Sequence, residues 1–530
     1  MAFSIVAAGG TLYKVTTAGV ATALTLPTDA TLTTTRRART VLMGKNIVLV
    51  NGATRSLLID PEFNVKPLIL NPPTSAPILA AGAAGNYTGV VRCKYTYIIK
   101  DTETGALLAE SAFSPISNEA TITADLIAVT GIQVSPDAAV THRRLYRTAT
   151  GPGSVYFHWL DLDGNTLTAV HDDASDSAIS LVAAPTDLGS APGAAPGTFM
   201  TVIASWKDRL WGVGDQAVDT LVYTGNRVPY GWPNSINVPP LGVDQYGITG
   251  IMPRRDELGI AKRNTFWKVV RSGSSFDLVK VREGIGCWAP DSVVVIDDLA
   301  YFLGADGVYV WGPTGINSIS DEKVSGWFTT TTYFNRGQFP NAVARFNPTY
   351  HMYELFLAPT GSSSLTRWVS YDISAQKWYG PHKTDAITPS FAGTTVDSND
   401  LVVPIMGGTN GHIYTQDPAV TTDDSTVIAL SLASKFHDAD TPDIEKLWLQ
   451  PSFISEIQAA AGAVSITTKV GGLDASTTHT LTPDMRLGRE KFVRMGRGRY
   501  IQINIAGSTS ASQGAEFYGY EIPYHEVGRR

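Results

Sequence analysis

A short β-hairpin pattern recurs along this chain, and it constrains the fold more than any other feature. In YFLGADGVYVWG, residues 301–312, two apolar runs flank the segment 305–307. Asp-Gly between alternating hydrophobic residues predicts a hairpin, because such turns need residues that tolerate positive φ. Related units occur near Gly10, in 209–225, in 258–270, in 369–380 and near Gly411. Repeated hairpins ending in aromatic residues favour a β-propeller, although another all-β fold could contain the same units.

The composition indicates an all-β chain of several domains. The chain has 530 residues, with 49 Gly, 30 Pro and only 17% charged residues, which is typical of turn-rich β proteins and too long for one core. Two stretches rich in Pro, Gly and Ala, 71–89 and 183–197, predict linkers. We therefore expect the following division: residues 1–70 as the N-terminal part of a propeller, 71–197 as a linker-flanked insertion with its core at 86–190, 198–420 as the propeller body, and 421–530 as a C-terminal β-sandwich.

The insertion resembles a fibronectin type III or immunoglobulin-like sandwich. Its marks are the strand pattern Tyr95-x-Tyr97, the polar run Glu110-Ser111 with Ser114, and the strand 145–147 before a Gly-rich turn. Short strands separated by regular turn signals are typical of such sandwiches.

The C-terminal region alternates strictly and carries a basic cluster. Ile501, Ile503 and Ile505 are expected to point to one side of a strand, with the polar residues between them on the other. Upstream lies a run of six basic residues: Arg486, Arg489, Lys491, Arg494, Arg497 and Arg499. These charges fit either a solvated edge that discourages aggregation or a docking patch for an acidic partner surface.

The sequence contains no recognisable catalytic or cofactor motif, so we expect no enzyme activity, no cofactor and no metal. DLDGNTLTAVHDD (161–173) begins like a calcium loop, but an EF-hand needs Gly at the sixth position and Glu at the twelfth. Here Gly164 is fourth and Asp172 is twelfth. Asp306, Gly307 and Trp311 have the wrong spacing for a sialidase Asp-box. Cys93 and Cys287 are too few for a zinc site and are expected to be buried apolar residues.

The charge and the N-terminus limit the class of partner and compartment. A net charge of −7 argues against a dedicated nucleic-acid binder, although it is compatible with DNA passing by without adhering. MAFSIVAAGG lacks the basic and apolar regions of a secretory signal, and no apolar run approaches the roughly 20 residues of a membrane span. We expect synthesis in a cytoplasm and no stable membrane association.

Several stretches together resemble one family. YFLGADGVYVWGPTGINSISDEKVSGWF (301–328) contains a hairpin followed by an Ile-Ser-x-x-Lys-Val motif at 319–324. GTLYKV near the start, YRTATGPGSVYFHWL and the ending GRGRYIQINI…FYGYEIPYHEVGRR are similar in the same order. The chain resembles the tail nozzle, or tail-tube and DNA-stabilisation, proteins of short-tailed bacteriophages.

The resemblance implies a structural virion protein. It implies a propeller-based subunit in a hexameric ring below the portal and adaptor, with tail fibres or tailspikes as neighbours, which retains the genome and conducts it during ejection. Two alternatives stay open at this point: a tail-tip hub or receptor-binding component, and a carbohydrate-binding or hydrolysing propeller.

Overall fold

Strands account for nearly all of the regular structure. The computed structural model describes residues 3–529 apart from 28–29, 152, 154, 180–182, 186–187, 189–198, 216, 228, 231, 233, 240–245, 274, 385, 398, 417–421, 424–425, 428, 435, 450–451, 456–463, 472–475, 482–488, 492–494 and 509–516. Helical structure in this part of the chain is limited to α1 (Ser325–Thr329) and two 3₁₀ helices, Pro290–Ser292 and Arg336–Asn341. No helix here is long and apolar enough to cross a membrane.

The chain divides into two compact units. The first holds Met1–Ser363, Val369–Gly380 and Ala392–Ile405, and the second holds Ser364–Trp368, Pro381–Phe391 and Met406–Arg530.

Seven small sheets of consecutive strands repeat along the chain, which is the construction of a β-propeller body. The strands of sheets I to III are β1 (Phe3–Ala8), β2 (Thr11–Thr16) and β3 (Ala21–Leu24); β4 (Arg39–Met43), β5 (Asn46–Val50), β6 (Leu57–Ile59) and β7 (Val65–Pro67); and, after the insertion, β15 (Met200–Trp206), β16 (Arg209–Gly214), β17 (Thr220–Tyr223) and β18 (Asn234–Asn237). Sheets IV and V are β19 (Gly250–Pro253), β20 (Glu257–Ala261), β21 (Thr265–Ser272) and β22 (Ser275–Glu283); and β23 (Val294–Ile296), β24 (Leu299–Leu303), β25 (Val308–Gly312) and β26 (Gly315–Ser318). Sheets VI and VII are β27 (Val343–Asn347), β28 (Met352–Leu357), β29 (Arg367–Asp372) and β30 (Lys377–Lys383); and β31 (Pro389–Val396), β32 (Val402–Gly408) and β33 (Ile413–Thr415).

Each sheet is hydrogen-bonded in chain order, so every neighbouring pair is a hairpin. All six hairpin units expected from the sequence fall on such pairs, each in a different sheet. The first strands of sheets II to VI contact one another in turn, β4 with β15, β15 with β19, β19 with β23 and β23 with β27. They are therefore the inner strands of the propeller.

Two-residue turns close several of the first hairpins. Gly9 and Gly10 have φ of 57° and 81°, and Asp297 and Asp298 have φ of 50° and 64°. Each pair joins strands whose register leaves two residues in the loop. Positive φ at both positions defines the type I′ turn, whose twist matches that of paired strands.

The turn at 305–307, between β24 and β25, is built differently. Neither Asp306 nor Gly307 takes positive φ, which corrects the expectation for this loop. The Gly304 N–H donates to the Gly307 carbonyl at 2.8 Å, and Asp306 accepts from the Tyr309 hydroxyl at 2.7 Å. Glycine is needed at 307 because a Cβ there would lie 2.1 Å from Ser320 Oγ.

The two faces of a propeller sheet belong to two different hydrophobic cores. In β24, Ala300 and Phe302 pack with Phe266 of sheet IV. Tyr301 and Leu303 pack with residues of sheet VI that include Tyr353. Because side chains alternate along a strand, one strand serves both cores. Further cores lie between sheets I and II, II and III, and III and IV.

Residue contacts also place the first sheet beside the last. Ser4 Oγ lies 2.7 Å from Thr395 Oγ1, which joins β1 to β31. The N-terminal segment thus forms its own three-stranded sheet I, separate from sheet VII.

The insertion is a β-sandwich between β7 and β15, as the sequence indicated. One sheet has the order β10-β9-β12-β13 and the other β14-β11-β8. Its strands are β8 (Ile78–Val91), β9 (Cys93–Lys100), β10 (Leu107–Glu110), β11 (Ala120–Thr130), β12 (His142–Thr148), β13 (Tyr156–Asp163) and β14 (Val170–Asp172). Cys93, Tyr95 and Tyr97 point into the core between the two sheets.

The linker expected over 71–89 is wrong for most of its length, because β8 begins at Ile78. Small residues let this strand lie close to β11: a Cβ on Gly85 would come within 2.7 Å of the Leu126 backbone nitrogen. Ala and Gly here reflect close packing of two backbones. Most of the second predicted linker, 183–197, lies outside the described residues.

The C-terminal region forms small β-sheets with a core of its own, the β-sandwich expected there. Its strands are β34 (Thr422–Asp423), β35 (Thr426–Val427), β36 (Ala429–Ala433), β37 (Ile444–Trp448), β38 (Ser452–Ser455), β39 (Val464–Gly471), β40 (Ser476–Leu481), β41 (Arg489–Lys491), β42 (Gly496–Gly498), β43 (Tyr500–Ser508), β44 (Phe517–Glu521) and β45 (Tyr524–Arg529). Ile501, Ile503 and Ile505 of β43 are buried together with Trp448, which confirms the predicted alternation.

Candidate functional site

Two arginines of the segment leading into β4 reach across the middle of the first unit. Arg39 Nε and Nη2 donate to Asp291 Oδ1 and Oδ2 at 2.7 and 3.0 Å. Arg37 Nη1 donates to Asp291 Oδ2 at 3.1 Å, and its Nη2 donates to the Asn341 carbonyl at 2.9 Å. Arg39 Nη1 also donates to the Thr201 carbonyl at 2.6 Å. We call Arg37, Arg39 and Asp291 the Arg–Asp clasp.

The clasp connects sheets that are not neighbours. Arg39 begins the inner strand of sheet II, Asp291 precedes sheet V, and Asn341 precedes sheet VI. Sheet V comes three places after sheet II, and sheet VI comes four places after it. Side chains that join them must cross the space that the inner strands enclose. Side chains therefore cross the middle of this propeller at the level of the clasp.

Asp291 is held in position by the 3₁₀ helix Pro290–Ser292. Ser292 Oγ donates to the Ala289 carbonyl at 2.7 Å and accepts from the Leu303 N–H at 3.0 Å. The Tyr353 hydroxyl donates to the Ser292 carbonyl at 2.9 Å. These bonds anchor the helix to sheets V and VI, so that its carboxylate faces the arginines.

Charge pairing decides the protonation state of Asp291. Burial opposes ionisation, but the charges and hydrogen bonds of Arg39 and Arg37 outweigh it, so the pKa of Asp291 lies below its usual range. The side chains of Arg37, Arg39 and Asp291 are 30%, 25% and 16% exposed. The clasp is thus a charged, partly buried cross-link.

The Ile-Ser-x-x-Lys-Val motif joins sheet V to sheet VI. The Ile319 N–H continues the pairing along β25 by donating to the Val308 carbonyl, and its own carbonyl accepts from Trp378 Nε1 at 2.8 Å. Lys323 Nζ donates to the Gln376 carbonyl at 2.8 Å. Ser320 Oγ accepts from the Val308 N–H at 3.0 Å. Lys323 and the Ile319 carbonyl thus help to pack sheet V against sheet VI, while Ser320 bonds within sheet V.

A dense ion network covers the insertion sheet that contains β12. Arg144 Nε donates to Asp161 Oδ1 at 2.7 Å, and Lys100 Nζ lies 2.7 Å from Asp161 Oδ2. Burial of Asp161 is outweighed by these bonds and one from His158, so its pKa lies far below its usual range. Burial raises the pKa of Glu110, even though the Tyr146 hydroxyl donates to it at 2.6 Å.

Two carboxylates with opposite pKa shifts could in principle act as an acid–base pair. Here Asp161 is engaged by Lys100, Arg144 and His158, and Glu110 is only 2% exposed. The arrangement suits a structural network that fixes β9, β12 and β13. The calcium-like sequence at 161–165 belongs to the same network: Asp161 binds cations of the protein, and Asn165 Nδ2 donates to the Ser135 carbonyl.

One Ser–His–Asp set meets on surface turns. His351 Nδ1 lies 2.9 Å from Ser374 Oγ, and His351 Nε2 lies 3.4 Å from Asp297 Oδ2. The second distance exceeds that of a normal hydrogen bond, and the Asp297 side chain is 76% exposed. The backbone N–H after Ser374 donates to Asp372, so it is not available to a substrate oxyanion.

The predicted basic patch is only partly described. Arg489 and Lys491 lie in β41, the edge strand of the sheet β41-β38-β44, and Arg497 lies in β42, the edge strand of β42-β37-β45. Arg497 and Arg499 are exposed. Arg486 and Arg494 lie outside the described residues. Placement on edge strands fits both a solvated edge that discourages aggregation and a docking patch for an acidic partner surface.

Sequence reasoning did not find the Arg–Asp clasp or the Glu110–Asp161 network. A signal was present in TTTRRART (33–40), whose three arginines precede a strand. No local pattern indicates the partner, since Asp291 is 252 residues away.

Comparison with known proteins gives no family. No family model matches the chain, and no curated protein matches it. Among solved structures, exo-β-1,3-galactanase of Phanerochaete chrysosporium is 9% identical, covers 92% of this chain and 95% of its own, and has a TM-score of 0.18. PorZ, a surface component of the type IX secretion system of Porphyromonas gingivalis, is 8% identical over 99% and 80% of the two chains, with a TM-score of 0.26. The extracellular domain of a one component system of B. thetaiotaomicron has 8% identity, the same coverage and a TM-score of 0.25. Similarity at this level carries no argument about activity.

Proposed function

We propose that this chain is a non-enzymatic structural subunit of a bacteriophage tail. It assembles with copies of itself into a ring of six around the DNA exit path, below the portal and adaptor, next to tail fibres or tailspikes. The ring retains the genome in the particle and conducts it during ejection. The observation that carries the proposal is the order of motifs and modules along the chain, which resembles that of tail nozzle proteins.

The fold supports this proposal in two ways. The motif at 319–324, one of those that carry the resemblance, packs one propeller sheet against the next through Lys323 and Trp378. The motif therefore has a structural role here, in keeping with a structural protein.

The Arg–Asp clasp supports a channel that lies between subunits. Arg37 and Arg39 cross the middle of the propeller to reach Asp291, so a duplex cannot thread a single subunit. A DNA path must then be enclosed by several copies. A closed ring of identical copies requires head-to-tail contacts between two different faces, and the insertion and the C-terminal sandwich are available to supply them.

The acidic balance also suits a conduit. Twelve acidic and six basic residues fall in 71–197, and the whole chain has a net charge of −7. A surface of this sign repels phosphates and weakens non-specific DNA binding.

Deletion of the gene tests the proposal. Without the subunit, heads should still fill with DNA, but the particles should be non-infectious and should lose genome on storage. Supplying the protein in trans should restore infectivity. Infectious particles with complete tails from the deletion strain would refute the proposal.

A further inference from the structure

Sheet I ends in an unprotected edge strand. Sheets II to VI each have four strands, whereas sheet I stops at β3 (Ala21–Leu24). Within the described part of the chain, no strand pairs with the free side of β3. The position that a fourth strand holds in sheets II to VI is therefore open in sheet I, as it is among the described residues of the three-stranded sheet VII.

Several outer strands of other sheets carry features that block pairing, whereas β3 contains neither a charge nor a proline. Strand β22 carries Asp277 and Lys280, β30 carries Lys377 and Pro381, and β7 is short and ends in Pro67. Charges, proline and shortness are the usual means of blocking edge-to-edge association. By contrast, residues 20–26 read VATALTL, without a charge or a proline, and Val20 is 60% exposed.

A cavity of about 510 Å³ runs along this edge. Its lining includes every residue from Thr22 to Pro27, together with the turn Glu62–Val65 and the insertion residues Asp137–Ala139. A strand that offered only one face would contribute every second residue. Thr22, Ala23 and Leu24 of β3 all contribute to the lining, so the cavity borders the edge of the strand as well as a face. An accessible edge is the requirement for strand addition.

An acidic cluster adjoins the cavity at Glu62, which lines it. Carboxylate oxygens of Asp60, Glu62 and Asp101 lie within 4.8 Å of one another, and Glu62 is exposed. Lys66 Nζ lies 2.9 Å from Asp60 Oδ2 and offsets one of these charges. Lys14 Nζ is turned onto the Phe63 ring, 3.6 Å from its centroid. The remaining negative charge would attract a basic strand.

We propose that β3 of one copy pairs with the basic edge strand β42 of the C-terminal sandwich of a second copy, with Arg497 and Arg499 facing Glu62 and Asp101. This inference rests on the proposed ring. The uncharged edge accepts the strand backbone, and the acidic cluster selects the basic flank by charge complementarity. The contact is head-to-tail, as ring closure requires.

The small size of this contact fits assembly within a ring. A strand pair of this length buries less than the roughly 1,200 Å² of a stable, specific interface. It cannot hold two free copies together by itself. It contributes once other contacts have brought copies side by side, and it fixes their register.

Photo-crosslinking on the full-length protein tests the assignment. A photo-crosslinking amino acid in place of Thr22 should link to residues 489–500 of another copy in assembled rings. The same probe in place of Val279, which is exposed on the protected strand β22, should give no link to that segment. Ala23→Lys should abolish both ring formation and the crosslink while leaving the Tm unchanged.

A charge swap is the second test of the proposed pairing between β3 and β42. Glu62→Lys with Asp101→Lys, or Arg497→Glu with Arg499→Glu, should each prevent rings, and the combined protein should form them again. Rings whose Thr22 probe links elsewhere in the chain, or to no chain, would overturn the strand pairing and leave the proposed function intact. A protein that never forms rings, at any concentration or in the particle, would overturn both.

Discussion

Arg39 and Asp291 are 252 residues apart in sequence and meet in a guanidinium–carboxylate pair with two hydrogen bonds of 2.7 and 3.0 Å. Arg37 adds a third bond to the same carboxylate. Bidentate pairs of this kind are directional and strong for their size. The pair joins sheet II to sheet V across the propeller, so it should contribute both to stability and to closure of the central space.

Removing the carboxylate should destabilise the propeller. Asp291→Ala leaves two arginines without their partner, which should lower the free energy of unfolding by about 2 kcal/mol, less than for fully buried pairs because the arginines are partly exposed. Chemical denaturation followed by tryptophan fluorescence measures this change. Asp256→Ala is the matched control: its carboxylate is 81% exposed beside Lys207 and should matter by less than about 0.5 kcal/mol. Equal effects of the two variants would contradict the role of the clasp.

The clasp should also make stability depend on pH. The pKa of Asp291 is lowered in the folded protein, so its contribution is fully present above the unfolded value of about 3.9 and is lost as the pH falls through the lower folded pKa. The Asp291→Asn variant should lack this pH-dependent contribution to the free energy of unfolding. The pKa of Glu110 is raised, so its contribution to the free energy of unfolding changes with pH in the opposite direction. The informative quantity is therefore the difference between wild type and Asp291→Asn, measured from pH 2 to 7. If the free energies of unfolding of wild type and Asp291→Asn differ as much below pH 4 as above it, the role of Asp291 in the clasp is contradicted.

Packing between sheets IV and V should not tolerate one added methyl group. A Cβ on Gly259 would lie 2.7 Å from Cζ3 of Trp311 and 2.9 Å from Cζ of Phe266. Gly259→Ala should therefore destabilise the protein by about 1–3 kcal/mol through overpacking. Gly326→Ala, in α1 with no atom within 4 Å of the new Cβ, should be neutral or slightly stabilising because alanine favours helix. Thermal unfolding of both variants checks the contrast, and a stable Gly259→Ala protein would argue against tight packing of these sheets.

Both cysteines should be unreactive in the folded protein. Cys93 and Cys287 are fully buried, and burial raises the pKa of each thiol to about 12. The thiolate is the reactive form, so a thiol reagent at pH 8 should label them only as the protein unfolds. Thr22→Cys, on the exposed edge of β3, should add one thiol that reacts at once. Rapid labelling of the wild-type protein would show that one of the two cores is open.

Local patterns predicted the hairpins, the alternation in β43 and the sandwich character of the insertion, because each depends on residues close in sequence. The predicted linker at 71–89 was wrong over β8, because Ala and Gly serve both flexible linkers and closely packed strands, and only the neighbour β11 distinguishes the two. The Arg–Asp clasp depends on how seven sheets are arranged. No local pattern pairs Arg39 with Asp291. The edge of β3 is similar: its lack of charge is visible in the sequence, but the missing fourth strand is visible only in the sheet order.

Electron cryomicroscopy of the virus particle tests the central claim most directly. The account predicts a closed ring of copies of this chain in the tail, below the portal and adaptor, with the DNA path enclosed between subunits and each propeller filled at its own centre by Arg37, Arg39 and Asp291. Particles whose tails lack this chain, or a DNA path that runs through the middle of a single propeller, would contradict it.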